Sequence, residues 1–75
     1  MAKQIYFIVM DKTKKREDPK QMYFLNTGAL NDIAGYLVGI ARKEQTPVED
    51  MRLFVAPDKK TWDRMYHDYL NRVNF

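Results

Sequence analysis

The run Ile5-Tyr6-Phe7-Ile8-Val9-Met10 is apolar at every position, and this restricts where it can sit in a fold. Its β-branched and aromatic residues favour a strand over a short buried helix. Strand side chains alternate, so Ile5, Phe7 and Val9 share one face and Tyr6, Ile8 and Met10 the other. A strand that is apolar on both faces belongs at the centre of a sheet, or has its second face covered by another element.

Residues 11–20 carry no aliphatic or aromatic side chain and reach Pro19 before the next apolar run. They read as a long solvated loop, beyond the roughly two to five residues usual in a hairpin connection. Met22-Tyr23-Phe24-Leu25 reads as a second strand, stopped by Asn26-Thr27-Gly28. Leu30, Ile33, Ala34, Leu37, Ile40 and Ala41 then recur at helical spacing, predicting an amphipathic helix over residues 29–44 with Asn26 or Thr27 as its cap. Gly35 and Gly39 lie one turn apart inside it. Either they let another backbone approach, or they are tolerated small residues. Thr46-Pro47-Val48-Glu49 has the form of a capping box, yet Leu53-Phe54-Val55-Ala56 follows and is bounded by Pro57. A single helical turn feeding a third strand reconciles the two, with one longer helix as the alternative. Trp62, Met65, Tyr66, Tyr69, Leu70 and Val73 mark a second amphipathic helix capped by Asp58 or Thr61.

The order β-β-α-β-α predicts one small α+β domain spanning residues 1–75, a three-stranded sheet with both helices on one face. That arrangement would leave an apolar sheet face open, and such patches mark interaction surfaces. The chain of 75 residues has room for one core only. It has no cysteine, which removes disulfides and thiolate zinc sites as reinforcement and fits a reducing compartment. Self-association into a homodimer remains open. No segment approaches the roughly 18 apolar residues of a membrane span, and the run at residues 5–10 is too short for a signal-peptide core. A cytoplasmic location and no membrane partner are therefore expected.

The net charge of +3 is local. Lys12, Lys14, Lys15, Arg16 and Lys20 outweigh Glu17 and Asp18, whereas residues 21–75 carry seven basic and seven acidic side chains. A basic loop flanked by aromatic strands could contact phosphates while Tyr6, Phe7, Tyr23 or Phe24 stack on bases. The same loop could equally steer encounter with an acidic protein surface.

Catalytic chemistry has little to work with. His67, the single histidine, has Asp63 one turn before it and Asn71 one turn after, the ordinary pattern of a solvated helix face. The carboxylate pairs Glu17/Asp18 and Glu49/Asp50 are adjacent residues in polar stretches, without the unlike environments that acid–base work requires. Gly28 lacks the following glycine-lysine pattern of a phosphate loop. No catalytic residue, metal, cofactor or small-molecule substrate is expected. The expectation is a non-enzymatic protein-interaction module of the regulator or inhibitor type, a class often encoded by phages and mobile elements. Its contact residues would be Lys12, Lys14, Lys15, Arg16, Lys20, Tyr6 and Tyr23, and nucleic-acid binding through the same loop is the alternative.

Overall fold

The computed structural model describes residues 3–73. Three strands, β1 (Ile5–Asp11), β2 (Met22–Thr27) and β3 (Met51–Val55), form an antiparallel sheet in the order β2-β1-β3. The doubly apolar run is thus the central strand, and Phe7, Ile8 and Val9 are fully buried. Phe7 lies between Leu25 and Val55, and Val9 between Tyr23 and Leu53. Two helices, α1 (Asp32–Glu44) and α2 (Lys59–Arg72), complete the small α+β domain. Among the described residues no helix is long and apolar enough to cross a membrane.

The helices occupy opposite faces of the sheet, correcting the expectation that both lie on one. From α1, Ile33, Leu37, Ile40 and Ala41 pack with Phe7, Val9, Tyr23 and Leu25, and the Tyr36 ring lies 5.8 Å from that of Phe7. From α2, the Trp62 ring lies 5.3 Å from Tyr6 and 5.9 Å from Phe24, side chains of the other face. Tyr66 and Tyr69 extend that aromatic layer, 5.0 and 5.3 Å from Phe24. The physical reason lies in β1 itself, since a strand apolar on both sides needs cover on both. Neither face of the central strand is left open, and the exposed apolar part of the sheet is confined to β3.

Local signals account for the ends of most elements. Asp58 caps α2, its carboxylate accepting from the Thr61 amide at 2.8 Å. The segment Val48–Asp50 forms one 3-10 turn that leads directly into β3. Helix α1 starts at Asp32, three residues later than its periodicity predicts, because Thr27 spends its hydroxyl on a turn by accepting from the Ala29 amide at 3.2 Å. Its other end is closed by Gln45 in the left-handed conformation (φ 56°), whose amide bonds back to the Ala41 and Arg42 carbonyls. Gly35 and Gly39 face open space, so no other backbone of the described chain approaches them.

Candidate functional site: the basic loop and the groove beside it

Asp11 organises the loop that follows it. It continues the inward phase of Ile5, Phe7 and Val9, and so ends β1 as a fully buried carboxylate. One carboxylate oxygen accepts from the Thr13 amide at 2.9 Å and the Thr13 hydroxyl at 2.5 Å. The other accepts from the Thr46 hydroxyl at 2.8 Å, across 35 residues of sequence. Lys14 brings its ammonium to 4.0 Å. Burial by itself pushes the Asp11 carboxyl up, but the hydrogen bonds from Thr13 and Thr46, with Lys14 adding to them, hold it below the ordinary aspartate value. The left-handed Gln45 sets the chain direction that presents Thr46 to this carboxylate.

The rest of the loop is a succession of turns pinned from α2. The Lys14 amide donates to the Asp11 carbonyl, and the Asp18 amide to the Lys15 carbonyl at 3.0 Å. Asp18 then caps the 3-10 turn Pro19–Gln21, accepting from the Lys20 amide at 2.8 Å. From α2, the Tyr69 hydroxyl donates to the Pro19 carbonyl. Arg72 donates through Nε to the Arg16 carbonyl at 3.2 Å and through Nη2 to Gln21 Oε1 at 3.1 Å. Burial pushes the Tyr69 phenol above its ordinary value, so it stays a donor. These anchors give the loop one shape, in place of the freely solvated segment its composition suggests.

The seven sequence-predicted contact residues do not form one surface. Lys15 and Arg16 are exposed at the loop apex and have no ion-pair partner among the described residues. Lys12 is exposed but stands 3.9 Å from Asp50, and Lys20 stands 4.0 Å from Glu44. Lys14 is half-buried against Asp11. Tyr6 is half-buried under Trp62 on the α2 side of the sheet. Tyr23 lies on the α1 side, next to Val9 in register, and its hydroxyl donates to Glu44 Oε1 at 2.7 Å. Burial, reinforced by that donation, holds the Tyr23 phenol above its ordinary value. Both rings are engaged within the fold, and so are those of Phe7 and Phe24.

Lys20, Met22, Tyr23, Phe24, Tyr66 and Tyr69 line an open groove of about 370 Å³ at the foot of the loop, which brings together two of the predicted contact residues, Lys20 and Tyr23. Tyr66 is exposed there. The groove sets an apolar floor beside Lys20, and it depends on Tyr66 and Tyr69, whose role the helical periodicity alone reads as core.

The other candidates acquire no partners. His67 is exposed, and Asp63 bonds instead to the Lys59 ammonium at 2.8 Å. Among the described residues, no group of three or more His, Asp or Glu side chains gathers to hold a metal ion. Comparisons of the chain with protein-family models, curated proteins and solved structures give no match.

Proposed function

We propose that this chain is a non-enzymatic interaction module that binds the acidic surface of a larger protein through its basic loop, in the manner of a regulator or inhibitor. The observation that carries the reading is the pinned loop apex, where Lys15 and Arg16 project without carboxylate partners among the described residues. A loop already held in one conformation loses little entropy on binding, and exposed cations raise the rate of encounter with a negative surface. The adjoining groove supplies apolar contact for a single side chain of the partner.

Nucleic-acid binding draws on the same two cations but not on Tyr6, Phe7, Tyr23 or Phe24, whose rings pack within the fold. The test is capture with the tagged chain from its native lysate, with and without nuclease, using the wild type and the double variant Lys15→Glu, Arg16→Glu. A stoichiometric protein that resists nuclease and falls by about tenfold or more with the variant is the expected result. Retention of that protein by the variant removes the loop from the mechanism. Loss of all bound material after nuclease makes nucleic acid the partner.

A further inference from the structure

Strand β3 is the place where the fold is unfinished. Neither helix covers the far part of β3: α1 approaches both outer strands but takes only Met51 of β3 into its core, beside Tyr23 and Leu25 of β2, and the α2 aromatics reach Tyr6 and Phe24 on β1 and β2. Leu53, Phe54 and Val55 are consequently 45, 44 and 48% exposed, on both faces of an edge strand. The edge is also open along its backbone. The Ala56 amide donates to the Tyr6 carbonyl at 2.9 Å and the Lys12 amide to the Asp50 carbonyl at 3.1 Å. Arg52 and Phe54 are in phase with these two and turn their peptide groups toward β1, so Leu53 and Val55 turn theirs outward.

We propose that β3 pairs antiparallel with β3 of a second copy of this chain, Phe54 facing its counterpart on the two-fold axis, to give one six-stranded sheet. The backbone selects this register. With Phe54 at the centre, Leu53 of each copy exchanges both hydrogen bonds with Val55 of the other. The next pair out joins Met51 to Pro57, where nothing is left unpaired: the Met51 amide already donates to the Val48 carbonyl, its carbonyl accepts from Arg52 at 2.9 Å, and Pro57 has no N–H. Centring on Leu53 would ask that same Met51 amide to serve the Val55 carbonyl. Centring on Val55 would ask Pro57 for a donor it lacks.

The side chains agree with that register. Leu53 covers Val55 of the second copy on the α1 face, and the two Phe54 rings meet on the α2 face. Arg52 falls opposite Ala56, so no like charges confront each other. A two-fold contact of this kind closes on itself, whereas pairing β3 with the β2 edge would propagate into a fibre. The β2 edge also offers less, since Met22 to Leu25 are half-covered already and Asn26 is polar. This contact is independent of the basic loop.

The interface is small, so a dissociation constant of about 1–100 µM is expected. Sedimentation velocity on the full chain from about 1 µM to about 1 mM should show the monomer giving way to the dimer. A wild-type protein that stays monomeric at about 1 mM overturns the proposal. The register is read separately, because the chain contains no cysteine. Under mild oxidation the Phe54→Cys protein should cross-link, the Cα atoms of such a pair being about 4.5 Å apart. Leu53→Cys and Val55→Cys should cross-link at least about tenfold more slowly, their symmetry mates being out of disulfide reach. Equal rates for the three variants would overturn the register, and with it the proposed pairing.

Discussion

The two edges of this sheet have been finished in different ways. At the β2 edge, a loop and a helix converge: Tyr69 and Arg72 hold the basic loop, and Phe24 is enclosed by Trp62, Tyr66 and Tyr69. At the β3 edge Leu53, Phe54 and Val55 stand almost half in solvent. The two strands are similarly apolar in sequence, so the contrast arises from where the helices come to rest. An apolar strand becomes core when its neighbours in space are also apolar, and it becomes an interface when the chain has run out of elements to cover it.

The widest separation between the edges is expected from the same substitution made on each. Phe24→Ala removes a ring packed on three others and should cost about 3 kcal/mol, whereas Phe54→Ala in the dilute monomer should cost about 1 kcal/mol or less. Urea unfolding at low protein concentration measures both, and equal costs would erase the distinction between a covered and an open edge. Next in size is the carboxylate that ties the loop to the far side of the sheet. Asp11→Asn keeps the shape but loses the charge, and the buried bonds from Thr13 and Thr46 should weaken by about 2 kcal/mol.

The pH dependence of that carboxylate follows from the same bonds. Because Asp11 is held below its ordinary value in the folded chain, its contribution is complete above a pH of about 4 and is lost as pH falls through the folded value. Unfolding free energies of the wild type should therefore drop on acidification more steeply than those of Asp11→Asn. Tyr69→Phe deletes only the bond to Pro19 and should cost about 1 kcal/mol. Its sharper readout is hydrogen exchange, faster for the Asp18 and Gln21 amides of the loop and unchanged for β3. The smallest effect concerns neither edge. Gly35→Ala and Gly39→Ala meet open space and should each stabilise the chain by about 1 kcal/mol in thermal or urea unfolding.

Much of the fold is legible in the sequence. The doubly apolar strand, the turn ahead of β3 and the Asp58 cap each have a local physical cause, and each stands where the pattern puts it. The helix placement departs from the expectation, although the pattern of Ile5–Asp11 carries its reason. Two equally apolar faces ask for two covers, and assigning both helices to one side contradicted that demand. The loop was beyond a local reading, because its order comes from Tyr69 and Arg72, some 50 residues downstream, as well as from its own turns. Asp11 had a signal that went unused. Extending the alternation of Phe7 and Val9 by one step puts it inside, and a buried aspartate needs donors such as Thr13 and Thr46.

Trp62, the single tryptophan, gives this molecule an optical asymmetry. Its indole N–H donates to the Phe7 carbonyl at 3.2 Å, and its ring lies within 5.3–6.2 Å of Tyr6, Phe24 and Tyr66, all on the α2 side. Fluorescence emission therefore reports the detachment of α2 and the wetting of that layer, while the α1 layer is silent. Residues 3–73 thus carry a built-in light meter for one half of the core, and a mismatch between its transition and that of the helical circular dichroism would reveal the two layers parting company separately.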